Sequence, residues 1–210
     1  MKRFLGTIFS CVMLSLLWSN GSFGQGSFEQ RETKVGDKAN YKVDTDSART
    51  CQLVRGGKYV LEVTKILPDQ SPSAYEIRVD YDLKLAPPLG RTIGVKNTQL
   101  PTEYFTIDLW NRVRKGGEYV GQGFKMKHEG YVDALMPDGH IYEHCDKVYI
   151  YDMEDITIET TTGTYILKNA TIHALVREEI PVLGAVKMDI SGNIDGFDFT
   201  MGLDYVPTPK

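Results

Sequence analysis

Residues 186–205 read VKMDISGNIDGFDFTMGLDY, and this stretch decides the fold. Val186, Met188, Ile190 and Ile194 alternate with polar neighbours on the way out, and Phe197, Phe199, Met201, Leu203 and Tyr205 alternate on the way back. Asp195-Gly196 between the two runs is the dipeptide of a two-residue hairpin turn, whose central residues need positive φ. Folding about that turn sets 194 opposite 197, 190 opposite 201, 188 opposite 203 and 186 opposite 205. Every such pair is apolar and lies on one face. The other face then sets Lys187 across from Asp204 and Ser191 across from Thr200, both favourable cross-strand pairs. Turn chemistry and period-two pattern agree on an antiparallel hairpin.

Working outward, Ala74 to Leu85 shows the same alternation. Tyr75, Ile77, Val79, Tyr81, Leu83 and Leu85 interleave with Glu76, Arg78, Asp80, Asp82 and Lys84, which is a strand with one dry and one wet face. Lys58–Leu67 precedes it, and the Pro68–Ser73 connection is turn chemistry, so the two predict a second long hairpin. Further strands are expected at Ala39–Asp44, Glu118–His128, Ile141–Asp152, Ile156–Thr161, Thr164–Lys168 and Ala170–Glu178, with tight turns at Thr162-Gly163 and Pro137-Asp138-Gly139. Val148 and Ile150 oppose Tyr149 and Tyr151, which predicts cover on both faces there.

One segment breaks the β rhythm. Thr102–Lys115 follows Pro101, carries acids early (Glu103, Asp108) and bases late (Arg112, Arg114, Lys115), and stops at Gly116-Gly117. Phe105, Leu109 and Val113 fall at i, i+4 and i+8 with Trp110 beside them, which predicts an amphipathic helix; its β-branched and aromatic content leaves strand open for part of it. The fold class expected is therefore mainly β: an antiparallel curved sheet, half-open barrel or sandwich with one amphipathic helix.

The N-terminus has another logic. Lys2 and Arg3 precede an apolar run from Phe4 to Trp18, and Ser22 and Gly24 flank Phe23 as small-x-small, the order a secretory signal presents. Cleavage after Gly24 assigns 1–24 to a signal peptide, 25–34 to a polar flexible leader and 35–207 to a single β-rich domain. The run falls short of the roughly 18 apolar residues of a membrane anchor. A lipoprotein signal would need a cysteine at the cut, whereas Cys11 lies inside the apolar core. Removing 1–24 takes away Lys2 and Arg3 and no acid, leaving 22 basic against 28 acidic residues, and no later segment has membrane-spanning length. An acidic domain does not attract phosphate backbones, which excludes nucleic acid as the expected partner. The 186 residues left suit one domain with a sizeable core, or at most two small ones.

Cys51 and Cys145 remain as an even pair, which an oxidising compartment would join in a disulfide, with two separate thiols as the alternative. Such a bridge would stabilise by about 4–5 kcal/mol in the chain-entropy model.

No Gly-x-Ser-x-Gly elbow, His-Glu-x-x-His helix, phosphate loop or Cys-x-x-Cys pair occurs, so no catalytic residue and no cofactor is assigned. His140, His144 and Cys145 are the only metal-like cluster. On a strand the two histidines lie about 13 Å apart, too far to share an ion. Asp152, Glu154 and Asp155 form an acidic turn, read as a solvated corner ahead of a calcium site. Asn169-Ala170-Thr171 fits the glycosylation sequon and has meaning only in a host that uses it.

The positive signal is aromatic content on apolar faces: Tyr59, Tyr75, Tyr81, Tyr104, Phe105, Trp110, Phe197, Phe199 and Tyr205. These either fill a core or, with the helix as cover, enclose an apolar cavity, as ligand-carrying β folds do. The function expected is an exported, non-enzymatic β protein, periplasmic or extracellular. It would bind an apolar small molecule, a lipid or acyl chain, with Phe105, Leu109, Trp110 and Val113 as the ligand-binding residues. The alternatives are a structural or protein-interaction component of the cell envelope and, third, a hydrolase of unrecognised type. Oligomeric state is not legible.

Overall fold

The computed structural model describes residues 33–69, 74–101, 113, 118–121, 124–182 and 184–207. Within them the chain forms β1 (Lys38–Val43), β2 (Val54–Leu67), β3 (Ala74–Leu85), β4 (Arg91–Pro101), β5 (Glu118–Gly121), β6 (Phe124–Leu135), β7 (Ile141–Tyr151), β8 (Ile156–Thr160), β9 (Gly163–Val176), β10 (Ala185–Ile194) and β11 (Phe197–Val206). All belong to one antiparallel sheet in the order β4-β3-β2-β1-β11-β10-β9-β7-β6-β5, with β8 also paired to β9. The sheet curls until its β4 edge meets β8, where the Thr161 N–H donates to the Arg91 carbonyl at 2.9 Å. It remains an open, curved sheet and not a closed barrel.

The C-terminal hairpin has the register its sequence predicts: Ile194 faces Phe197, Ile190 faces Met201, Met188 faces Leu203 and Lys187 faces Asp204. Asp195 and Gly196 both take positive φ, as the turn requires. One member departs from the pattern. Phe197 is two-thirds exposed, because β1 flanks β11 only from Leu203 onward and leaves the tip uncovered.

The core lies on the inner face of the curl and is built from rows that cross the strands. One row runs Met126, Ile150, Ile172, Ile190, Met201 across β6, β7, β9, β10 and β11. Its neighbour runs His128, Val148, Ala174, Met188, Leu203, Val43. Period-two alternation on each strand is what places these residues together. Tyr41, Tyr75 and Phe199 are the largest side chains sealed inside.

Three departures from the sequence reading have physical causes. β4 carries no strand signal because its inner positions are Thr92, Gly94 and Lys96, while its apolar residues Ile93 and Val95 point outward and are exposed. Glu118–His128 is two strands, β5 and β6, which pair antiparallel with Gly121 opposite Phe124. The two strands expected at 164–168 and 170–178 are one, interrupted by a bulge at Asn169, whose φ is 51°. The helix expected over 102–115, with Phe105, Leu109 and Trp110, lies outside the described residues. Val113 alone of that stretch is described, and it is fully buried in the core.

The outer face of β11 is not simply wet. Asx turns at Asp44 and Asp46 fold the segment 44–53 back over it. The Gly202 N–H donates to Thr50 Oγ1, and the Cys51 N–H donates to the Thr200 carbonyl. Arg49 lies across Gly202 and binds Asp44, Asp189 and Asp204, the last with a buried side chain. Burial alone would lower the Arg49 pKa; its bonds to Asp204 and Asp189 more than offset this and raise it.

Candidate functional site

β6 and β7 reach beyond their neighbours. β5 pairs with β6 only as far as Lys127, and β9 pairs with β7 only from Asp146 onward. Among the described residues, 129–145 therefore have no strand partner other than β6 and β7 themselves. Pro137-Asp138-Gly139 closes the hairpin as its sequence predicts, with the Met136 N–H donating to the His140 carbonyl and Gly139 at positive φ. Register shifts between His128 and Tyr131 and between Val132 and Ala134 bend it. Gly130 at φ 106° and His144 at φ 56° absorb the turn, and Asp133 fixes it by accepting the His144 N–H at 2.8 Å.

The bend sorts the side chains. Ala134, Met136 and Cys145 turn inward and are buried, with Tyr142 packed beside them. Tyr131, Val132, Leu135 and Ile141 remain outside, 50%, 41%, 61% and 52% exposed, and Leu135 sits directly opposite Ile141. Asp133, Asp138, Glu143, His140 and His144 are exposed around them, and between Gly130 and Asp146 there is no Lys or Arg. At the base, the Tyr131 ring meets His128 edge-on at 4.9 Å and stacks on His144 at 4.1 Å. His128 faces inward, with Nε2 3.0 Å from Asp146 Oδ1. Both are largely buried, so this is an ion pair when the imidazole is protonated, without the alignment of a hydrogen bond.

The outer face behind this base is self-satisfied. Tyr149 stacks on both Tyr151 and His173, and the Lys127 ammonium lies 5.0 Å from the Tyr149 ring centroid. Glu129 reaches Lys127 and Lys147 at 3.1 Å each. Burial works to raise its pKa, but those two ammonium groups hold it below the usual carboxylate range. Two ammonium groups share this one carboxylate, so the patch keeps a small net positive charge and offers no field that would attract a basic ligand.

One small cleft is described on the inner face. Tyr59 and Tyr81 stack at 5.7 Å. The cleft beside them, lined by Leu83, Thr92, Lys96, Ile158 and Glu159, has space for about one water molecule. Of the ligand-binding residues expected from sequence, Val113 contributes to packing, and Phe105, Leu109 and Trp110 lie outside the described residues.

The disulfide expected between Cys51 and Cys145 is not formed; both are free thiols. Cys51 is tied to β11, whereas Cys145 lies on β7, with β10 and β9 between them. Three inter-strand steps amount to roughly 14 Å, well beyond the Cα separation a disulfide spans. Cys145 Sγ instead lies 3.3 Å from the Tyr142 carbonyl, and burial pushes its thiol pKa up.

The remaining sequence candidates are dispersed. His140 packs edge-on to Tyr142 while His144 stacks on Tyr131, and no group of three His, Cys, Asp or Glu side chains among the described residues is placed to hold a metal ion. Asp152 is paired to Lys125 at 2.9 Å, with Glu154 and Asp155 exposed. Asn169 of the sequon is exposed at its bulge. No helix among the described residues is long and apolar enough to cross a membrane. The exposed set on the bent hairpin was not singled out by the sequence, although its lack of Lys and Arg between two basic flanks, Lys127 and Lys147, is a legible signal. Comparison with known protein families, with curated proteins and with solved structures finds no match to this chain.

Proposed function

We propose that this protein is an exported, non-enzymatic component of the cell envelope that works by binding another macromolecule through the bent hairpin of β6 and β7. The observation that carries this reading is the exposure of four apolar side chains, Tyr131, Val132, Leu135 and Ile141, on one hairpin that also sends Ala134, Met136 and Cys145 into the core. Exposed apolar side chains grouped on one element mark interaction surfaces, whereas scattered ones need no explanation. The export signal at Lys2 to Gly24 supports the compartment, and the lack of a catalytic motif supports a binding role.

Photo-crosslinking in the native host tests it. A crosslinker placed at Leu135 or Ile141 should give a discrete adduct, and one placed at the equally exposed Ile93 or Val95 should not. Equal labelling from both pairs of positions would remove the hairpin from the proposal. The apolar-ligand reading is less well supported, since the cleft on the described inner face has room for about one water molecule. It keeps a clear test: organic extraction of the purified protein would recover a stoichiometric lipid.

A further inference from the structure

Resting on that interaction reading, we infer that the hairpin docks a polypeptide carrying Lys or Arg beside apolar side chains. Three facts converge on that chemistry. The exposed apolar set, Tyr131, Val132, Leu135 and Ile141, supplies area that gains by leaving water. The charges around it are of one sign: Asp133, Asp138 and Glu143 are exposed there, and no Lys or Arg lies between Gly130 and Asp146. Arg177, which reaches the hairpin from outside it, bonds the Glu143 carbonyl and is paired with Glu179 at 2.6 Å.

A partner laid on this surface must bring its own charges close to those carboxylates. An acidic partner would bury like charges against one another, and an anionic bilayer would meet the same repulsion. A basic partner gains complementary pairing at the rim around an apolar centre, the arrangement that gives an interface its specificity. The patch behind the hairpin does not compete for a basic partner, because there Lys125, Lys127 and Lys147 share Asp152 and Glu129.

The test uses the mature chain and a labelled nonapeptide of alternating Lys and Leu, with a Glu and Leu counterpart and anionic phospholipid vesicles as the other probes. Fluorescence anisotropy should show the Lys peptide binding about tenfold or more tightly than the Glu peptide, with the preference shrinking as salt is raised. Leu135→Ser with Ile141→Ser should weaken binding about tenfold, and Asp133→Asn with Glu143→Gln should flatten the salt dependence. All four positions are exposed, so thermal denaturation should show the variants folded. Preference for the Glu peptide, binding to the vesicles in its place, or self-association abolished by the hairpin substitutions would each overturn the basic-partner inference while leaving a hairpin interaction site standing. Binding of no probe, in a monomer that the substitutions do not change, would overturn both.

Discussion

Replacing Arg49 by Met removes the cation that ties the segment 44–53 to the outer face of the sheet. Its guanidinium sits 2.7 Å from Asp44, 2.7 Å from Asp189 and 2.6 Å from Asp204. The three carboxylates do not suffer equally. Asp189 is 43% exposed and rehydrates, whereas the Asp204 side chain is 6% exposed and, among the described residues, keeps Lys187 at 3.7 Å. Breaking a buried pair costs about 3–5 kcal/mol. Arg49 keeps 19% of its side chain exposed and Lys187 stays, so about 2–3 kcal/mol is expected here. For a chain of this size, that lowers Tm by about 4–12 °C. Thermal and urea denaturation of the mature protein measure it. If the cost is the stranded charge on Asp204, then Asp204→Asn in the Arg49→Met background should recover about 1 kcal/mol, in place of adding to the loss. Additive losses, or an Arg49→Met effect under about 0.5 kcal/mol, would refute the buried-charge reasoning. Gly202→Ala perturbs the same contact from below, since its Cβ would lie 3.1 Å from Arg49 Cβ and Cζ.

Thiol titration of the unreduced, unfolded mature chain should find two free thiols. In the folded chain the partly exposed Cys51 should react well before the buried Cys145, and a finding of no thiols would restore the disulfide. Burial raises the pKa of Tyr41, Tyr59 and Tyr75 above their ordinary value of 10.0. The fold favours their protonated form, so this contribution is full below about pH 10 and is lost as pH rises further. A phenolate titration should therefore leave these rings silent until the alkaline transition, and a single midpoint for all tyrosines with native circular dichroism would contradict their burial. His128→Ala removes the largely buried imidazole 3.0 Å from the Asp146 carboxylate and should cost about 1–3 kcal/mol in urea unfolding. His173→Ala on the exposed outer face should change stability by about 0.5 kcal/mol or less, and equal losses would deny the pair its role.

What was legible in the sequence followed from period two and from turns. The β10–β11 register could be written down residue by residue, because an Asp-Gly turn fixes the phase and a shift by one would turn Met188 and Leu203 to the outside. β4 was illegible for the converse reason. An edge strand needs only backbone to pair, and its inward positions Thr92, Gly94 and Lys96 carry no apolar signal. The space over Gly94 is taken by the Tyr81 ring from the next strand, a cross-strand exchange that no single-strand pattern records. The hairpin site was hidden by its bulges. Alternation fails at Gly130 and again at Asp133, so Val132 and Ala134, two residues apart, end one outside and one inside. The disulfide was a count without a distance, and strand order supplied the distance.

An open sheet must manage its edges, and the way this one does so bears on where a partner would attach. β5 is four residues long, too short to offer much of a template. β4 is longer, but Lys96 points inward opposite Val79, and an inward charge near an edge discourages another strand from continuing the core. Its other end is held against β8 through Arg91 and Thr161. The β6–β7 hairpin has only a partial device of this kind. Its bulges twist the edge and so oppose strand addition, yet they also turn Leu135 and Ile141 outward where a straight hairpin would present one of its faces to the core. The two effects together favour a partner that lies on the side chains of the hairpin over one that extends the sheet. Side-chain docking is also the mode in which Asp133, Asp138 and Glu143 can reach a partner's charges, so the shape of the hairpin and its sign point to the same kind of contact.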